Sequence, residues 1–507
     1  MNGVVSATMN DHYADLSVPA EVGRCLAPPP AFRPFERARY PRPVLVDVEA
    51  LARHYLSAGD SLSALAQLVT ALPAIKRSVA DNARSWLNDL DHQQEAIWDN
   101  LAIAGARLPD VFSVNLGHVR DRLAAMKEQI ESNNDPLAWG GPLPANDPSR
   151  DDHAFDSQPP PPQNKPLLAM SDLWSVMDVH LTLNAAHLMG ACPELRQNPG
   201  GSVLDVVRAR KPPILLMSMG PNHGLPDISM RTDLARRLAR LERFAELWPK
   251  CAEKIAELPG LRLFVMMLLP DPSLVPALMP PFDGNTNPSP PASGQRYHSQ
   301  YVSALTLSQL TVLPGSAVQD ADRRVAAVRK SVREATVAAF AQARKRRPKL
   351  RPPRFVDMSD ILARYDTKHG RGRVFVPDPT SQHAPDRYGY GNWAIGQKAG
   401  GVRGGICSLD HFHPTTLGYR YLAREIVNII IEEQEAIGMP NLVRSLPLVT
   451  TLGDSLLSNP SYPAFHVLTN FWPKTDAGGH VFLGVPVGSA ENQGGRALFN
   501  SGGCPGR

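Results

Sequence analysis

Two predominantly apolar runs constrain the fold of this 507-residue chain more than any other feature. The first run covers residues 211–220 and ends at a glycine, and the second covers residues 261–269. Continuous apolar strands are typical of parallel sheets that are buried on both faces. Residues 234–257, which lie between the two runs, have the pattern of a charged amphipathic helix. The order strand, helix, strand predicts an α/β fold, and we expect a three-layer α/β/α sandwich whose mostly parallel central sheet has about five strands.

The other periodic segments fit this fold class. Spacing close to 3.6 residues predicts further helices, and a short apolar segment predicts one further strand. The predicted helices are 65–75, 83–97, 116–131, 171–191, 321–346 and 419–434, and the predicted strand is 373–377.

Proline is the compositional outlier, because its 49 residues in 507 are roughly twice the usual share of ~5%. The prolines cluster, which indicates long loops around a folded centre. We expect a flexible N-terminal tail over 1–40, a folded domain over 41–440 and a C-terminal tail over 441–507. Loop insertions are expected near 133–166 and 270–299.

Charge, cysteines and apolar segments exclude several functional classes. A formal charge of +4 is too small for a dedicated nucleic-acid binder. The five cysteines are far apart and form no CxxC pair, which argues against a zinc site or a disulfide framework. No run reaches the ~18 apolar residues of a membrane span, and the first residues lack the pattern of a secretory signal. The sequence therefore predicts a cytoplasmic protein, or a secreted one whose leader is missing.

Four short segments carry residues suited to nucleophilic catalysis. Ser61 follows Gly-Asp at an expected turn into a helix, and Gly105 ends an apolar segment. Asn222 follows the first apolar run, and Asp410 and His413 stand three residues apart before a proline. A serine hydroxyl needs a base such as histidine, held by a carboxylate, to become a nucleophile. Backbone N–H groups and an amide side chain can stabilise the oxyanion that develops.

In order and in type, these four segments resemble the GDSL, or SGNH, family of serine esterases and lipases. The resemblance covers about residues 44–434, and the segments 85–91 and 100–107 look most like the phospholipase B-like branch. The resemblance implies the sandwich fold and ester hydrolysis through an acyl-serine, with no cofactor and no metal.

Carried over by residue, the resemblance makes Ser61 the nucleophile and His413 the base oriented by Asp410. It places Gly105 and the side chain of Asn222 in the oxyanion hole, together with the backbone N–H of Ser61. A lipid acyl ester is the expected substrate, and an acetylated carbohydrate is the alternative.

The chain departs from the family pattern at His223, where the third segment usually has an aspartate that braces the loop of the asparagine. The expected strand before Ser61, at 54–58, is also less apolar than usual. These departures motivate a second hypothesis from another class, in which the chain is an inactive binding protein on the same fold.

A second GDSL segment occurs at 451–456 and contains Ser455. Three explanations remain open. The segment starts a truncated hydrolase repeat, it matches by chance in a tail, or the domain is permuted and His413 serves Ser455. We expect Ser61 to be the nucleophile, because its segment precedes the others in family order.

A basic segment covers residues 344–354, of which seven are lysine or arginine. It begins with Arg344, Lys345, Arg346 and Arg347. The plainest interpretation is a solvated helix end. A peripheral contact with anionic lipid headgroups is an alternative, as is a nuclear-import or nucleic-acid patch.

Overall fold

The structure is a computed structural model that describes a large part of the chain. The described residues are 17–26, 61–92, 95, 99–103, 106–133, 173–223, 225, 234–275, 278–279, 291, 294–303, 312–364, 369, 395–398, 401–404, 414, 416–446, 473–475 and 481–483. The predicted strand 373–377 and most of the insertion at 133–166 lie outside them.

The described helices are numbered in chain order. They are α1 Val18–Cys25, α2 Ser61–Asp91, α3 Leu108–Ser113, α4 Leu116–Ser132, α5 Leu173–Ala191, α6 Pro193–Gln197, α7 Val203–Arg210, α8 Leu234–Ala256, α9 Gly315–Arg344, α10 Met358–Arg364 and α11 Thr416–Glu433.

The described strands are numbered in the same way. They are β1 Ile214–Ser218, β2 Leu263–Leu268, β3 Leu278–Met279, β4 Gln300–Ser303, β5 Val312–Pro314, β6 Arg354–Asp357, β7 Ile395–Lys398, β8 Gly401–Gly404, β9 Pro473–Thr475 and β10 Val481–Leu483.

Three parallel strands form the described part of the central sheet, in the order β1-β2-β6. Leu215 pairs with Phe264, and Met266 pairs with Phe355. The two apolar runs are therefore neighbouring parallel strands, and α8 connects them as predicted. The chain is mixed α/β and mostly helical, which confirms the expected class.

The side chains of β2 alternate between two apolar clusters, because successive residues of a strand point to opposite faces. Phe264 and Met266 pack in one cluster with residues of α8 and α9. Leu263 and Val265 pack in another with residues of α1 and α11. Trp248 Nε1 donates to Thr336 Oγ1 at 2.7 Å and joins α8 to α9. Helices therefore cover both faces of this strand.

A helical region precedes the sheet and contains α2, α4 and α5. Trp86 of α2 is buried with Ile130 of α4 and Leu183 of α5. Residues 65–75 and 83–91, which were predicted in two separate helices, belong to the single helix α2, which includes Pro73 and ends before the predicted limit of 97. Asn115 caps α4, because its side chain accepts from the backbone N–H of His118 at 2.8 Å.

Residues 17–26 differ from the flexible tail that was expected over 1–40. They form α1, whose buried residues Val18 and Val22 pack in the cluster that contains α11. Glu21 accepts from Arg420 Nε at 3.1 Å, and Cys25 O accepts from the backbone N–H of Arg444 at 2.8 Å. The helix is held by apolar burial and by a buried ion pair.

The expected loop insertion near 270–299 also contains ordered structure at its beginning. Residues 271–275 are buried and include the 3-10 helix Pro272–Leu274. Strands β3, β4 and β5 then form a small antiparallel sheet. Of the described helices, none combines the length and hydropathy that a bilayer crossing requires.

Candidate functional site

The structure describes two of the five predicted site residues, and only in their secondary structure. Ser61 is the first residue of α2, and Asn222 is the middle residue of the 3-10 helix Pro221–His223. The side chains of both residues lie outside the described part of the structure. Gly105, Asp410 and His413 are not among the described residues, and neither is the second GDSL segment with Ser455.

The segment of Asn222 lies at the carboxyl edge of the parallel sheet, directly after β1. Gly220 makes the turn with a φ of +108°, a conformation that favours glycine. A Cβ atom at this position would come within 3.2 Å of Phe244 and 3.0 Å of Leu269. The turn is closed by a bond from the backbone N–H of His223 to Gly220 O at 2.9 Å. Open α/β sheets build their sites at this edge.

His223 joins this segment to the one that follows Gly105. Its Nε2 accepts a hydrogen bond from the backbone N–H of Leu108 at 2.8 Å, and its side chain is buried, with the residue only 2% exposed. Its ring lies 4.9 Å from the ring of Phe244, centroid to centroid. Leu108 is three residues beyond Gly105, so the structure brings the third predicted segment to the residue that directly follows the second.

The bond with His223 also gives a hydrogen-bond partner to a backbone N–H group at the start of a helix. The first N–H groups of a helix have no partner within it. Leu108 is the first residue of α3, and the preceding backbone N–H, of Arg107, donates to Asp110 Oδ2 at 2.6 Å. Burial, together with the positive charges of Arg107 and Arg240, lowers the pKa of His223 to about 3. The imidazole is therefore a neutral acceptor at neutral pH.

Helix α11 ends at the amino edge of the sheet. Glu433, its last residue, accepts from Arg351 Nε at 2.7 Å and from Arg354 Nη1 at 2.6 Å. Arg354 is the first residue of β6. Arg262, the residue before β2, donates from Nη1 to Ile437 O at 2.6 Å.

The beginning of α11 consequently lies towards the carboxyl edge, because 18 helical residues span about 27 Å. Arg364 at the end of α10 supports this direction, since α10 follows the carboxyl end of β6 directly. Its Nη1 donates to Tyr421 Oη at 3.2 Å and to Glu425 Oε1 at 3.0 Å. The chain enters α11 at Thr416, three residues after His413.

The described contacts do not bring Ser61 to the other segments. The buried side chains of α2, such as Val79 and Ala83, pack against α4 and α5. Ser61 of the first segment is the first residue of a helix, as the sequence predicts.

A buried polar network at the same edge was missed by sequence analysis. Arg329 of α9 donates from Nη1 to Asp271 Oδ1 and to Ser359 Oγ, both at 2.5 Å. Asp271 follows β2 and Ser359 follows β6. Ser359 Oγ also accepts from the backbone N–H of Asp271 at 2.7 Å. No sequence motif links three residues so far apart in the chain.

Replacement of Arg329 by methionine tests this network. We expect the free energy of unfolding to fall by about 3 kcal/mol, because Asp271 would keep a buried charge without its partner. The two side chains are only 15% and 11% exposed. Urea denaturation measures the change. The control Arg346→Met breaks a pair whose side chains are 68% and 62% exposed, and it should change stability by no more than about 1 kcal/mol. Equal losses in the two variants would contradict the prediction.

Two further buried groups stand near the start of α9. Asp322 accepts from Ser273 N at 2.9 Å, from Ser273 Oγ at 2.5 Å and from Tyr297 Oη at 3.0 Å. Burial raises the pKa of Asp322. Tyr301 Oη lies 2.7 Å from His369 Nε2 and accepts from the backbone N–H of His298 at 3.3 Å. The partners come from separate segments, and sequence analysis identified neither group.

The basic segment at 344–354 makes many contacts within the protein. Arg347 donates to Ala256 O at 2.6 Å and to Leu261 O at 2.7 Å. Arg344 Nε donates to Leu350 O at 3.1 Å. Arg346 forms an ion pair with Glu257, the residue that follows α8. Lys345 is exposed. The predicted contact with anionic lipid stays a prediction, and these bonds give several of the arginines a structural role.

Within the described part of the chain, no three histidine, cysteine or acidic side chains are grouped as metal ligands would be. Comparisons of the chain with protein-family models, with curated proteins and with solved structures find no match.

Proposed function

We propose that the chain is a GDSL-type serine hydrolase that cleaves carboxylic esters. One observation carries the proposal: the segment of Asn222 follows a parallel strand at the carboxyl edge, and His223 ties it to Leu108, just beyond Gly105. Leu108 and His223 are 115 residues apart in the chain, and their hydrogen bond supports the proposal that the segments beside them form an oxyanion hole together. The direction of α11 adds support, because His413 precedes its first residue.

The proposal includes the finer features of the fold. The full architecture would be a three-layer α/β/α sandwich with about five strands, a usual size for such a sheet. The helices on both faces of β2 and the parallel order β1-β2-β6 support this architecture.

In the proposed reaction Ser61 attacks the acyl carbon and gives its proton to His413, which Asp410 orients. The oxyanion accepts hydrogen bonds from the N–H groups of Ser61 and Gly105 and from Asn222. His413 then protonates the leaving alcohol. Water next gives a proton to His413 and attacks the acyl carbon of the acyl-serine. His413 returns this proton to Ser61 Oγ as the ester bond breaks, which releases the carboxylic acid and restores both residues. This chemistry calls for neither a cofactor nor a metal.

A lipid acyl ester is the substrate class we favour, on the resemblance to the phospholipase B-like branch alone. An acetylated carbohydrate would pass through the same acyl-serine steps. A series of p-nitrophenyl esters from acetate to palmitate distinguishes the two, because a lipid esterase should prefer the longer acyl chains.

The test of the proposal is covalent labelling of the folded protein by a fluorophosphonate probe, which reacts with activated serines. We expect one probe per chain, together with turnover of p-nitrophenyl butyrate. Heat-unfolded protein should not be labelled, because its serine has no base and no oxyanion hole. Folded protein that shows neither labelling nor turnover would instead be a binding protein on this fold.

A further inference from the structure

We propose that His223 is a positioning residue for the oxyanion hole, and that it acts as a neutral hydrogen-bond acceptor holding the Gly105 and Asn222 segments in register. The inference depends on the proposed function, since it assigns a role within the same site. It assigns to His223 the bracing of the asparagine loop for which the family pattern usually has an aspartate.

The direction of the bond fixes the chemical state of the ring. A backbone N–H can only donate, so Nε2 of His223 must carry a lone pair in its 2.8 Å bond with Leu108. A doubly protonated ring would have no acceptor at this position. The imidazole can therefore accept a hydrogen bond as an aspartate carboxylate would, but it carries no negative charge.

Packing fixes the orientation of the ring. Phe244 lies 4.9 Å from it, and Phe244 in turn lies 5.7 Å from Trp248, which is fully buried. Arg107 and Arg240 are the charged groups whose fields reach the ring. A side chain held in this way can transmit its position to the adjacent Asn222 on one side and to Leu108 on the other.

The positions involved are close to the proposed chemistry. Asn222 is the neighbour of His223 in the chain, and Gly105 is three residues from Leu108, a span of at most about 11 Å. The oxyanion needs donors from both segments at once. A displacement of about 1 Å at such a site can lower turnover by about 10²-fold.

The test compares His223→Leu with His223→Gln. Leucine fills a similar volume but cannot accept a hydrogen bond, whereas the glutamine oxygen can lie near the position of Nε2. For p-nitrophenyl butyrate we expect kcat of His223→Leu to fall by about 10²-fold, and His223→Gln to keep kcat within about tenfold of the parent. KM should change little in either variant, because the lost contact acts on the oxyanion and not on the substrate.

His180→Leu is the matched control, since it also places a leucine at a buried histidine but lies in α5, outside the proposed site. It should leave kcat unchanged. Hydrogen exchange of the Leu108 amide gives a readout that is independent of activity. Its protection should be lost in His223→Leu and kept in His223→Gln.

The outcomes separate the two proposals. Wild-type kcat in a folded His223→Leu variant would overturn the positioning role, even if the Leu108 amide loses protection. Equal loss of kcat in the leucine and glutamine variants would overturn the acceptor role. If the parent protein shows neither turnover nor labelling, the proposed function fails and the positioning role fails with it, while exchange of the Leu108 amide still reports on the bond.

Discussion

Ser61→Ala should abolish fluorophosphonate labelling and reduce esterase turnover by several orders of magnitude. Loss of the nucleophile leaves only the roughly 10³–10⁴-fold acceleration over water that binding and the oxyanion hole supply. Ser455→Ala should leave labelling and kcat close to those of the parent, because its segment follows the others and lies outside their family order. The measurement is kcat for p-nitrophenyl butyrate, with labelling followed by intact-protein mass spectrometry.

The variants of Ser61 and Ser455 need a control for structural damage. Ser63 lies in the same first turn of α2 and has no proposed catalytic role, so Ser63→Ala should keep both labelling and turnover. All three variants should keep the melting temperature of the parent. If Ser455→Ala is inactive and Ser61→Ala is active, the domain is permuted and the first segment is wrongly assigned.

Much of the framework could be predicted because its signals are local and repeated. The apolar runs became β1 and β2, and the helix predicted at 234–257 is α8, Leu234–Ala256. Strand β6 was missed, since its four residues begin with an arginine, end with an aspartate and follow a basic segment. Helix α1 was missed for a related reason. Its short segment has few residues to show a period, and contacts with residues far along the chain stabilise it, namely burial against α11 and the ion pair of Glu21 with Arg420.

The sequence predicts the candidate site as a set of segments but not as a set of contacts. The sequence identified His223 as an irregularity, yet its partner Leu108 is 115 residues away and donates from the backbone. A backbone donor leaves no signature in residue type. The Arg329 network has the same character, since only the fold brings Asp271 and Ser359 together. Charge counting likewise predicted an exposed basic segment. Residues 344–346 and 349 are exposed, whereas Arg347 is half-buried and donates to two backbone carbonyls.

Acid should destabilise the protein strongly, starting well above the range where carboxylates titrate. Burial lowers the pKa of His180 from 6.5 to about 4, and the pKa of His223 is lowered to about 3. The unfolded chain therefore binds more protons than the folded one below pH 6.5, so stability falls as the pH falls. At pH 5 each histidine should lower the free energy of unfolding by about 2 kcal/mol relative to pH 7.5, or about 4 kcal/mol together. Urea denaturation across this range measures the slope.

His180→Leu isolates one of the two contributions. Neither ring nitrogen of His180 has a hydrogen-bond partner among the described residues, and the ring packs edge-on against Trp86 at 5.8 Å. Leucine removes both the titrating group and the buried unsatisfied nitrogens, so stability at pH 7.5 should rise by about 1–2 kcal/mol. The loss between pH 7.5 and pH 5 should also shrink to about half, because only His223 of the pair still titrates. A His180→Leu variant that is less stable at pH 7.5 and keeps the full slope would show that His180 is satisfied and does not carry the acid sensitivity.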